Sequence, residues 1–267
     1  MVRPFVLGLL AVVGSLVLPA GTATAQAFLP EPGTRLSYQH WNLERREVTG
    51  LTQMSYAAES HDGQEFIVEH SENTDPDGEA FTRKRLWFDA NSGEPFRYEE
   101  EDLRENLLII NTYASGSIRT ELRHGEKLRA FELEVPRERF ASFETVFDYL
   151  RKQLEVILNS SKDNPFVFTL YLPALALELE TGALPQSLSL VRMRVLRERS
   201  GSFNTRIGTY EAHTLHIFPD SWTLRALLPK EKSEFTLVLA AEPPHHLLEF
   251  SEGKTQHQIT QLELPAH

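Results

Sequence analysis

Two pairs of histidines are the residues whose type could hold a metal ion or move a proton near neutral pH: His213 and His216 in AHTLH, and His245 and His246 in AAEPPHHLLEF. Spacing argues against both. Residues three apart share a face on a helix, but Gly208-Thr209-Tyr210 and the β-branched residues around them mark a strand, where positions 213 and 216 point to opposite sides. Adjacent histidines on a strand also diverge, and a third ligand for them would have to come from His257 across a hairpin. Pro243 and Pro244 donate nothing to a ladder, so His245 reads as the start of a new strand. On that strand His246 shares the side of Leu248 and Phe250.

Glu99, Glu100, Glu101, Asp102 and Glu105 in RYEEEDLRE could serve as general acids and bases. A contiguous charged run reads instead as a solvated turn between strands. No Gly-x-Ser-x-Gly elbow, phosphate loop or dinucleotide fingerprint is present. There is no cysteine, which excludes thiolate metal sites, cysteine nucleophiles, disulfides and a lipid-modified cysteine. The residues therefore point to no catalytic group, no metal and no cofactor, and to a protein that is not an enzyme.

The elements that position these residues are mostly strands. From Thr34 to about Val135, segments of 6 to 10 residues alternate apolar and polar positions, separated by turns such as His61-Asp62-Gly63, Asp75-Pro76-Asp77-Gly78, Asn91-Ser92-Gly93 and His124-Gly125-Glu126. Period two returns in FVFTLYLP, SLSLVRMRVLRER, GTYEAHTLHIF, SWTLRALL, EFTLVLAAE, HHLLEF and Thr255 to Leu264. The stretch ALALELETGALP leans to strand.

One segment differs. Phe143, Val146, Phe147, Leu150, Leu154, Ile157 and Leu158 fall three and four apart, which predicts one long amphipathic helix at about 142–160. Ser142 can cap it, and Pro165 bars its continuation. The expected fold is mainly β with that helix: a curved antiparallel sheet forming an open half-barrel around or against it.

The N-terminus carries Arg3, an apolar run from Phe5 to Leu18, then Pro19 and small residues, the order of a secretory signal peptide. Cleavage is expected after Ala25 or Ala27, which makes 1–25 a leader and 28–267 a single mainly-β domain in the periplasm. The net charge of −11 becomes −12 once Arg3 is removed. Such an acidic chain is a poor binder of nucleic acid or anionic headgroups, and no later stretch is long and apolar enough to span a membrane.

The helix FDYLRKQ (Phe147 to Gln153), the strand IGTYEAHTLHI (Ile207 to Ile217) and the hairpin FTLVLAAEPPHHLLEFSEG (Phe235 to Gly253) together resemble an uncharacterised bacterial periplasmic family of unknown function. The layout as a whole is similar to the outer-membrane lipoprotein-carrier superfamily, whose curved sheet is closed by helices. That resemblance implies a binding module for a lipid or other hydrophobic ligand, with Phe143, Phe147, Leu150, Leu154 and His246 lining the cavity. The alternative is an envelope assembly or structural factor that binds another protein through a strand edge or the acidic loops.

Overall fold

The structure, a computed structural model, describes residues 28–173, 175–176, 186–227 and 233–266. The expected leader, its cleavage sites and most of ALALELETGALP lie outside the described residues.

Eight strands build the N-terminal half: β1 (Arg35–Asn42), β2 (Glu47–His61), β3 (Gln64–Thr74), β4 (Ala80–Asp89), β5 (Pro95–Asp102), β6 (Leu107–Ala114), β7 (Ser117–His124) and β8 (Lys127–Glu134). Seven more build the C-terminal half: β9 (Phe140–Ser142), β10 (Phe166–Tyr171), β11 (Leu190–Thr205), β12 (Gly208–Pro219), β13 (Phe235–Ala240), β14 (Leu247–Glu252) and β15 (Thr255–Glu263). The alternation seen in the sequence produces this meander, and its turns supply the reversals. Asp62 and Gly63, both at positive φ, form the two-residue link between β2 and β3.

All fifteen strands belong to one sheet, ordered β8-β7-β6-β5-β4-β3-β2-β1-β15-β14-β13-β12-β11-β10-β9. Each half runs outward from a central seam where β1 pairs antiparallel with β15. Every pairing is antiparallel except that of β9 with β10. The sheet curls until Ile118 on β7 and Leu133 on β8 pack against Tyr171 on β10, yet β8 and β9 do not pair. It is therefore a large curved sheet that does not close.

Residues 143–158 run through the space it encloses. They form two short helices, α1 (Val146–Lys152) and α2 (Leu154–Leu158), where one long helix was expected. Gln153 ends the first and caps the second at φ −95°, ψ 3°, outside helical geometry. The apolar stripe survives this break because both pieces pack into the same core, with Val146, Leu150, Leu154 and Ile157 almost completely buried.

Two other expectations are corrected. SWTLRALL contains a helix, α3 (Trp222–Leu227), because the Ser221 hydroxyl accepts the Leu224 N–H and starts a helical turn that alternation hides. The acidic run is not a turn: Glu99 to Asp102 lie on β5, and the reversal follows them. Their charges face Arg83, Lys84 and Arg85 of β4, in the register Arg83↔Glu101, Lys84↔Glu100, Arg85↔Glu99. Opposite charges facing across a ladder stabilise a strand that would be implausible in isolation.

Candidate binding cleft

The mouth of the curled sheet holds a recess. Helix α1 crosses it, leaving a cleft of about 540 Å³ between the helix and the strand ends on the N-terminal side. Phe28, Phe88, Phe96, Ile118 and Phe140 give it apolar walls. The β4–β5 and β6–β7 turns and the chain after β8 form its rim, with Arg137 and Lys152 exposed there. Both the volume and the apolar lining fall in the range of small-molecule sites.

Its floor is polar. Asp148 of α1, only 5% exposed, is ion-paired with the equally buried Arg151 one turn along. Tyr149 lines the cleft, and its hydroxyl is buried with no hydrogen-bond partner. Behind Asp148, the Tyr56 hydroxyl donates to Glu69 at 2.6 Å, and the Tyr38 hydroxyl donates to the Leu247 carbonyl at 2.9 Å. Burial, followed by the charge of Asp148, holds the Glu69 carboxyl above the usual carboxylate range. Burial does the same to Asp148 and outweighs the attraction of Arg151.

A second polar network ties the two ends of the sheet together beside the cleft. The Tyr113 hydroxyl contacts both Ser142 and Glu144 at 2.8 Å. Asn111 also donates to Glu144. Thr120 donates to Asn111 at 2.7 Å and meets the Tyr171 hydroxyl at 2.9 Å. Side chains thus span the gap that backbone hydrogen bonds leave open. Burial raises the Glu144 carboxyl despite these donors.

A larger recess, about 790 Å³, crosses the outer face of β15 and β1 to β6. Its lining is mainly charged and polar, and includes side chains already matched to each other, such as Arg83 with Glu72 at 2.8 Å. Of these two recesses, the cleft at the mouth is the one that combines apolar walls with a residue carrying an unsatisfied polar group.

None of the five residues expected to line a cavity lies on this cleft. Leu150 and Leu154 are fully buried in the core, and Phe147 packs on Phe250 at a ring distance of 5.0 Å. Phe143 is 42% exposed. The helical stripe points into the packed interior, while the cleft faces the flank that carries Asp148, Tyr149 and Lys152.

His246 is buried as its parity implied, with Nδ1 unpartnered. It precedes β14, which begins at Leu247, and His245 is in a turn at φ 58°. Burial, then Arg151 and His245, pushes His246 down to about 4. His257 does not approach this pair as a third ligand; its ring lies 4.2 Å from that of His40, and burial with the nearby His40 lowers it to about 3. His213 meets Ser200 at 2.8 Å, whereas His216 meets Glu234 at 3.2 Å, so they share no site. Among the described residues no group of three His, Asp or Glu side chains is placed to hold a metal.

No family model and no curated protein matches the chain. Three solved structures align with the chain. The crystal structure of a β-barrel-like protein of the domain of unknown function DUF1849, from Brucella abortus, aligns with TM-score 0.51 at 10% identity, over 89% of this chain and 100% of its own. A protein from Bacteroides fragilis, described as exported and with a YmcC-like fold, aligns at 0.38 and 9% identity, over 89% and 98%. One from Parabacteroides distasonis, described as a lipoprotein, aligns at 0.35 and 12% identity, over 89% and 99%. At these identities the first likeness concerns the fold alone. No helix among the described residues is long and apolar enough to cross a membrane.

Proposed function

We propose that this chain is an exported, non-enzymatic binding module whose ligand is a lipid or other amphiphile held in the cleft at the mouth of the sheet. Export rests on the leader-like N-terminus. The observation that carries the binding reading is the cleft itself, whose apolar walls adjoin Tyr149, a residue with a buried, unpartnered hydroxyl. A buried hydroxyl without a partner is costly, and a ligand that supplies one recovers that cost. The ligand that fits has an apolar body and one hydrogen-bonding group.

The β8 edge favours a second reading. This strand has one neighbour, is exposed along most of its length, and presents Leu128 at 59% exposure, as an edge that pairs with another envelope protein would.

Native mass spectrometry and lipid extraction of the protein from its own envelope fraction separate the two. A stoichiometric small-molecule adduct that disappears in Ala114→Trp, which crowds the cleft from an exposed position, supports the binding module. A clean apo mass with no extractable lipid, together with a partner protein retained at high salt, supports the second reading and overturns the first.

A further inference from the structure

Phe28 occupies the cleft's mouth in a way the rest of the wall does not. Most apolar wall residues are fixed by the strands that carry them, but Phe28 precedes β1 and reaches the cleft from outside the sheet. The next residue, Leu29, is 1% exposed and pins the backbone, so the Phe28 ring can move by side-chain rotation alone.

Its seat is made by two features of the opposite rim. In the β4–β5 turn the Asp89 carboxylate accepts the Asn91 and Ser92 N–H groups at 3.1 and 2.7 Å, and Gly93 follows at φ 65°. The ring lies directly on Gly93, where any Cβ would collide with it. The Lys152 ammonium sits 5.3 Å from the ring centroid and is itself held by Glu94 and by the Ser92 carbonyl at 3.3 Å. Among the described residues the ring has no aromatic partner, unlike Phe147 on Phe250.

The ring is half-buried at the edge of the core, with a glycine on one flank and on the other a flexible lysine that keeps its carboxylate partner when the ring leaves. Such a seat holds an aromatic ring and releases it without breaking the rim.

We propose that Phe28 is a displaceable plug that sets what the cleft admits: a ligand's alkyl chain enters by taking the place of the ring against Gly93 and beneath Lys152. This rests on the reading of the cleft as a binding site. The free protein then binds only from the fraction of molecules with the ring swung out, and its apparent affinity is reduced by that fraction. A chain of methylenes satisfies the apolar walls as the ring does, whereas a bulky branched group does not fit between Gly93 and Lys152.

The test uses the full-length exported protein and a fluorescent alkyl amphiphile, 11-(dansylamino)undecanoic acid, with affinity from titration and association rate from stopped flow. Phe28→Ala should bind about tenfold tighter if roughly one molecule in ten is open, with the gain in the association rate. Gly93→Ala, which drives the ring from its seat without removing it, should shift affinity in the same direction. Ala114→Trp should abolish binding. If Phe28→Ala and Gly93→Ala bind as the parent does while Ala114→Trp binds nothing, the cleft is the site and the plug is overturned. If the probe binds none of the proteins, or binds Ala114→Trp normally, the cleft reading fails and the plug fails with it.

Discussion

Strands β10 to β14 meet the helical segment with a face that is apolar nearly throughout, whereas β1 to β6 set tyrosines and a carboxylate among their apolar residues, opposite the ion pair of α1. On the C-terminal side Phe168, Leu170, Val195, Leu215, Ile217, Leu237 and Leu239 are all 2% exposed or less, against Leu154 and Ile157 of α2. On the N-terminal side Asp148, Arg151 and Glu144 of the helical segment face Tyr56, Glu69, Asn111 and Tyr113. An apolar interface is non-directional and closes to full packing density. A polar one is directional, and it leaves space wherever geometry fails to bring partners together. The cleft opens beside that polar boundary, between α1 and the strand ends of the N-terminal half.

The largest effect should come from breaking the ion pair that marks the boundary. Asp148→Ala leaves Arg151 buried, with its Nε already unpartnered, and should cost about 3 to 5 kcal/mol in urea unfolding. Replacing both residues by apolar ones, Asp148→Leu with Arg151→Met, should cost much less, because no lone charge remains. A single-mutant cost below about 1 kcal/mol would mean that water reaches Arg151, and the contrast between a dry and a polar side would collapse.

Packing should differ between the halves in the same sense. Leu215→Ala, at a fully buried position in β12, should cost about 2 to 5 kcal/mol. Ile109→Ala, at a half-buried position on β6, should cost well under half as much in the same measurement. Equal losses would show Ile109 to be as tightly packed as Leu215.

This contrast also sets what could be read in advance. Strand alternation was legible, and so was the apolar stripe of residues 143–158, because each depends on local period alone. The break at Gln153 was not, since nothing in LRKQLEV marks it and the sheet holds both pieces in one core. Asp148 and Arg151 lie off the stripe and read as a solvated flank. They are buried only because the sheet wraps the helix on more than one side, which is a property of the whole topology. Glu99 to Asp102 read as a turn because their partners, Arg83 to Arg85, are a strand away. The cleft joins Phe28, two turns, the chain after β8 and a helix flank, and no spacing rule connects those segments.

Acid should probe the buried bases. His246, held near 4, and His257, held near 3, each bind a proton more readily in the unfolded chain, whose histidines titrate near 6.5. Their contribution is complete above about 6.5 and is lost as pH falls through that window toward the folded values. Glu69, Asp148 and Glu144, all raised, act with the opposite sign: the folded form holds the proton, so stability falls as pH rises through their range. Replacing His246 with Leu should therefore flatten the loss between pH 6.5 and 4 by about 2 to 3 kcal/mol. Glu69→Gln should remove only part of the decline above the ordinary carboxylate range. An unchanged acid limb in the His246 variant would place that ring in water rather than behind Arg151.

The smallest effect bears on the cleft itself, and its value is that two readouts should move in opposite directions. In the free protein the Tyr149 hydroxyl is buried with no partner, so Tyr149→Phe removes a desolvated group and should leave stability unchanged or raise it by up to about 1 kcal/mol. In the complex the same hydroxyl pairs with the ligand's polar group, so the variant should bind 11-(dansylamino)undecanoic acid about two- to tenfold more weakly, the equivalent of one hydrogen bond. A variant that loses stability while binding the probe normally would show that the hydroxyl serves the packing beside Phe166 and Phe168 rather than the cleft.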